Sequence, residues 1–147
     1  NMEERIIRII KKYKKAKEED LDWILDLITK KSWWDTVDML AARCLGHYLH
    51  AFPAKQEDVC RELIHSENLW LQRSALIFQL KYKDQTNTEL LFKNILILNP
   101  DKEFFIQKAI GWSLRELSKT NPDLVRQFLQ EHPEIDKLAL REASKYL

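Results

Sequence analysis

The sequence predicts an all-α fold in which antiparallel helix pairs stack as an α-solenoid, and three observations point there. Among 147 residues there are only two Gly and four Pro, which leaves few punctuation points for strands and tight turns. Every strong apolar period along the chain is helical. The second helices of successive predicted pairs begin about 34 residues apart, near the lower end of helical-repeat periods. No one pair can bury its own apolar face, so neighbouring repeats supply the rest of the core.

Taken in order, the first predicted helix spans 3–15, where Ile6, Ile9, Ile10 and Tyr13 follow the i, i+3, i+4, i+7 pattern. Its basic run, Arg5, Arg8, Lys11, Lys12, Lys14, Lys15 and Lys17, reads as a solvated face more readily than as a DNA or membrane contact. Helices 18–30 and 33–49 make the first hairpin, with Ser32 and Asp35 in a capping-box pattern at the start of the second. Helices 55–65 and 67–83 make the next. The third pairs 87–98, announced by Thr86 and Glu89, with 101–118, announced by Asn99-Pro100. Asn121-Pro122 opens 122–131, and Pro133 marks the start of 134–146.

A 45% hydrophobic and 32% charged composition is that of an ordinary soluble domain, and residues 2–147 are expected to form one; Asn1, ahead of Met2, reads as a tag remnant. The formal net charge of +1 exerts no strong global pull on nucleic acid, so such binding must come from a local patch. Two cysteines, Cys44 and Cys60, are too few for a disulfide framework, and there is no apolar stretch long enough to span a bilayer. The expected setting is the reducing cytoplasm.

Trp34, Arg73 and Trp112 are spaced 39 and 39 residues apart, and Asp38 follows Trp34 by one helical turn. In a solenoid that spacing places aromatic, cation, aromatic and carboxylate on one ridge, which suits nucleic acid. The plainer reading of Trp34 and Asp38 is a core indole and a first-turn carboxylate favoured by the helix dipole. Lys108, Trp112 and Arg115 fall at i, i+4 and i+7, a stripe that can follow a phosphate backbone or, alternatively, an indole covered by two snorkelling cations. Gly111, a costly residue in mid-helix, suggests close approach of another backbone or a ligand. Arg73 lies in an otherwise apolar helix and needs a partner, either a DNA phosphate or a carboxylate such as Glu62 or Glu116.

Cys44, His47 and His50 share a helix, but their spacing matches no zinc pattern, and neither a metal nor another cofactor is expected. Phosphate-cradling glycine loops, nucleophile elbows and zinc-protease motifs are missing from the sequence.

Three words carry a family resemblance: Lys31-Ser32-Trp33-Trp34-Asp35-Thr36-Val37-Asp38, Phe78-Gln79-Leu80-Lys81-Tyr82-Lys83, and the run from Phe104 through Gly111-Trp112-Ser113-Leu114-Arg115-Glu116. From about Leu21 to the C-terminus the chain resembles the AlkD-like DNA alkylation repair family. That resemblance implies a right-handed solenoid of HEAT-like repeats, here without the additional N-terminal helices of longer members. The expected partner is double-stranded DNA containing alkylated bases, met by a monomer with no metal and no membrane. The resemblance implies a monofunctional glycosylase that excises cationic N3- or N7-alkylated purines, with Asp38 catalytic, Trp34 and Trp112 flanking the lesion, and Arg73 on the DNA backbone. Lys108 and Arg115 are the further phosphate contacts expected. Gln72 and Gln107 stand where relatives often carry basic residues, which points to a reduced grip on DNA. The alternative is a non-catalytic HEAT-like scaffold that binds DNA or a protein partner.

Overall fold

The computed structural model describes Glu4, residues 16–30 and residues 34–147, the side chain of Trp34 excepted. The expected helix 3–15 with its basic run, the Ser32 cap and the indoles of Trp33 and Trp34 therefore lie outside the described residues. Within them every regular element is helical and there is no strand. The chain divides into two compact units, Asn1–Phe78 and Gln79–Leu147.

In the first unit, α1 (Asp20–Lys30) begins where the Lys17 N–H donates to Asp20 Oδ2, and carries acidic Asp20 and Asp22 in its first turn and Lys30 in its last, as the helix dipole favours. Ile24 and Ile28, one turn apart, are its fully buried stripe. Next comes α2 (Trp34–Met39), which runs through a π-helical stretch, Leu40–Leu45, into α3 (Gly46–Ala51). The π-helical stretch packs on α1, α2 and α5 and buries Leu40, Ala41, Cys44 and Leu45.

Pro53 starts a single 3₁₀ turn, and α4 (Gln56–Ile64) follows, tied back when Gln56 Nε2 donates to the Leu49 carbonyl at 3.0 Å. The link to α5 (Leu69–Ile77) is closed by Asn68, whose side chain accepts from the Trp70 and Leu71 N–H groups at 2.9 and 3.1 Å. A Cβ on Gly46 would come within 2.6 Å of the Phe78 carbonyl oxygen. Glycine is therefore what lets the end of α5 lie against α3.

The sequence extends this last helix to residue 83, yet it stops at Ile77. Gln79 and Asn87 explain the difference: the Asn87 N–H donates to Gln79 Oε1 at 2.7 Å, a clasp that needs the chain to turn between them. Lys83, at φ 53°, takes a left-handed conformation no helix interior allows.

In the second unit, α6 (Thr88–Leu98) is capped by Asn87, one residue beyond the expected Thr86. Glu103 caps α7 (Phe104–Ser118) through its Oε2, whereas Asn99 ends the helix before it. Asn121 and Pro122 open α8 (Pro122–Glu131) as the sequence predicts, with the Leu124 N–H on Asn121 Oδ1. The last helix, α9 (Lys137–Ala143), begins behind Asp136 rather than at Pro133, because Asp136 Oδ1 takes the Leu138 N–H. Ile106, Ala109, Ile110 and Leu114 of α7, Val125 and Phe128 of α8, and Ala139 and Ala143 of α9 form the core of this unit.

Candidate functional site

Each unit places some of the expected residues. In the first, α2 presents Asp38 toward α5, and the Arg73 guanidinium meets it as a fork: Nε to Oδ1 at 2.9 Å and Nη2 to Oδ2 at 3.1 Å. Two parallel charge-assisted bonds of this kind fix orientation as well as adding energy. The side chains are 6% exposed for Arg73 and 13% for Asp38, so the carboxylate keeps a narrow opening to solvent while the guanidinium is almost enclosed. Arg73 thus finds a carboxylate in its own unit, the partner its apolar helix demanded. A carboxylate has about four lone-pair positions, so the fork leaves Asp38 able to accept further hydrogen bonds.

Trp34 lies on the helix that carries Asp38, one turn before it. Cys44, four residues past Leu40 in the π-helical wall, is wholly enclosed, and burial pushes its thiol up to about 12. His47 and His50 face solvent on the following turns, away from that thiol's enclosure. No group of three or more His, Cys, Asp or Glu among the described residues is arranged to hold a metal. No helix among them is long and apolar enough to cross a membrane.

In the second unit, Lys108, Trp112 and Arg115 lie along α7 with the half-buried indole between the two cations. Both cations are held by one carboxylate on α9: Lys108 Nζ lies 2.8 Å from Glu142 Oε1, and Arg115 Nη1 lies 3.2 Å from Glu142 Oε2. Lys108 also approaches the ring of exposed Phe104, at 5.9 Å from its centroid. The hydrogen bond from Lys108, with the Lys108, Arg115 and Lys145 charges, holds the Glu142 carboxyl below its usual range against the opposing effect of burial.

Gly111 makes that contact possible. A Cβ there would lie 2.6 Å from Glu142 Cβ and 3.0 Å from the Ala139 carbonyl oxygen, so the close approach anticipated at this glycine is that of α9. The two glutamines in place of further cations are structural: Gln72 Nε2 donates to the Ile64 carbonyl, and Gln107 Nε2 to the carbonyls of Asn99 and Asp101.

Glu142 escaped the sequence reading, which found nothing unusual in the C-terminal helix. One signal was present. Asp38 and Arg73 are 35 residues apart, and Lys108 and Glu142 are 34 apart, close to the repeat spacing of the predicted hairpins. Charges separated by one repeat are natural candidates for pairing across adjacent helices.

A family model described as DNA alkylation repair enzyme matches residues 1–147. A solved structure described as a predicted DNA alkylation repair enzyme from Enterococcus faecalis is 36% identical to the chain and superposes with a TM-score of 0.82. That likeness covers 99% of this chain and 66% of the other, so the chain spans just under two thirds of that protein's length. No curated protein matches the sequence.

Proposed function

The chain belongs to the DNA alkylation repair enzyme family, and from that premise we propose that it is a monofunctional DNA glycosylase releasing cationic N3- or N7-alkylated purines from double-stranded DNA. Its helix hairpins are read as HEAT-like repeats of one right-handed α-solenoid domain, working as a monomer in the cytoplasm. The observation that carries the proposal is the Asp38 carboxylate, oriented by the Arg73 fork on the helix that also carries Trp34.

The chemistry asks little of the protein. An N3- or N7-alkylated purine already carries positive charge and departs without prior protonation. What remains is to stabilise the oxocarbenium character that develops at the sugar and to place a water. Asp38 does both in this reading: its charge faces the developing cation, and an oxygen not fully used by Arg73 accepts a hydrogen bond from the attacking water. At an effective dielectric near 20, a carboxylate about 4 Å from a unit positive charge contributes roughly 4 kcal/mol, about three decades in rate. The adjacent Arg73 charge subtracts from that field. Trp34 and Trp112 flank the cationic nucleotide with their electron-rich faces. Arg73, Lys108 and Arg115 contact the phosphate backbone, Arg73 while still engaged with Asp38.

The test is release of 7-methylguanine from methylated duplex DNA by the wild-type chain and by Asp38→Asn. The amide loses the charge and offers only one acceptor oxygen to the Arg73 fork. Excision is expected to fall on the order of a hundredfold or more while DNA binding is kept. Near wild-type excision by Asp38→Asn would remove that carboxylate from the mechanism. The enclosure of Arg73 favours a second reading, a non-catalytic HEAT-like scaffold in which the pair only joins two helices. Binding to DNA with no base release from the wild-type chain would select it.

A further inference from the structure

The cations along α7 are already occupied. Lys108 and Arg115 stand seven residues apart, about 10 Å along the helix, and Glu142 reaches both by giving one oxygen to each. A DNA phosphate offers the same chemistry, anionic oxygens able to accept from ammonium and guanidinium together. We propose that the Glu142 carboxylate is the resident occupant of an anion site made by Lys108 and Arg115, and that a backbone phosphate must displace it to bind there. This rests on the reading of those two cations as phosphate contacts.

Three features support an occupant built to be exchanged. First, the carboxylate is brought in by the fold, since α9 approaches α7 at Gly111 closely enough that any larger residue would meet Glu142 Cβ. Second, the arrangement under-satisfies Arg115: its Nε is buried without a hydrogen-bond acceptor while Nη1 holds Glu142. A buried donor lacking an acceptor is unfavourable, and a guanidinium released from Glu142 can turn to a better-fitting anion. Third, the Lys108 side chain is 38% exposed, so solvent-borne phosphate reaches this end of the site directly. Until the exchange, Glu142 cancels one positive charge in a protein whose net charge is only +1.

The experiment measures binding of fluorescent duplex DNA by the full chain between roughly 50 and 200 mM salt. Wild type, Glu142→Gln, the pair Lys108→Ala with Arg115→Ala, and the combination of all three are compared, with circular dichroism confirming the fold of each. Glu142→Gln is expected to bind about five- to tenfold tighter at low salt and to steepen the salt slope by about one. In the Lys108→Ala, Arg115→Ala background that gain is expected to shrink below about twofold.

Loss of salt slope in the double variant, with no gain from Glu142→Gln, overturns the proposal and leaves the phosphate contacts standing. A gain that persists undiminished without the two cations overturns it too, since it marks a general charge effect. An unchanged slope in the double variant removes the phosphate contacts themselves. Should the Gln variant fail to fold, Glu142→Asp, which draws the oxygens back by one methylene, decides by the same criterion: tighter binding supports exchange, and equal or weaker binding overturns it.

Discussion

Arg73 and Asp38 settle how a cation is tolerated in an apolar helix, and the answer has an energetic consequence. Each is the other's partner through two hydrogen bonds, and their side chains are 6% and 13% exposed. Removing one member of such a pair leaves a charge with poor access to water, which costs about 3–5 kcal/mol, whereas replacing both with fitting neutral groups is much less damaging. Arg73→Ala is therefore expected to lower the unfolding free energy by about 3 kcal/mol, and Arg73→Met combined with Asp38→Asn to recover most of that loss. Urea unfolding of the single and double variants checks it. A single-variant loss below about 1 kcal/mol would mean that Arg73 spends its time in water, as exposed ion pairs do. The sequence made the need for a partner plain, because Leu69, Leu71, Ala75 and Leu76 surround the cation. It did not identify Asp38, because the carboxylate was assigned to the same outward ridge as Arg73 rather than to a pair with it.

Helices α7 and α9 depend on small residues where they cross. Gly111 faces Ala139 and Glu142, and a methyl group there would lie 3.0 Å from a backbone oxygen that has no rotamer to escape into. Gly111→Ala gains about 1 kcal/mol in helix propensity and meets an overpacking cost of about 1–3 kcal/mol. The net expectation is destabilisation of about 1 kcal/mol together with loosening of Glu142 from Lys108 and Arg115. Thermal unfolding measures the first and DNA affinity the second; a variant more stable than wild type would show that α9 gives way at no cost.

Local chemistry made these elements legible to different degrees. Asn121-Pro122 was readable because cap and first-turn proline act within four residues of each other. The end of α5 was not, because Ile77-Phe78-Gln79-Leu80 continues the apolar run while the clasp that turns the chain joins Gln79 to Asn87, eight residues on. Asp136 replaced Pro133 as a start signal for the same reason Glu103 replaced Asn99. A side-chain oxygen that captures two-residues-ahead N–H groups defines the first turn more firmly than a nearby proline.

The molecule as a whole carries almost no net charge, so any affinity for DNA must be assembled from a few local cations. That makes the salt dependence of binding a census of those contacts. Each phosphate neutralised contributes about 0.9 to the slope of log K against log salt. With Arg73, Lys108 and Arg115 as the contacts and Glu142 offsetting one of them, the wild-type slope is expected to lie between about −1 and −2, the lower magnitude applying if the Arg73 guanidinium stays wholly with Asp38. The basic run Arg5, Arg8, Lys11, Lys12, Lys14, Lys15 and Lys17 supplies the contrast, because its recruitment would carry the slope to about −5 or beyond. Fluorescence anisotropy across a salt series distinguishes the two regimes without any substitution. A shallow slope restricts the grip to Arg73, Lys108 and Arg115, and under the proposed function a weak hold on undamaged DNA leaves discrimination to the charge of the lesion. A steep one transfers the binding energy to the N-terminal cations, and the glutamines at 72 and 107 then cease to be a sign of reduced affinity.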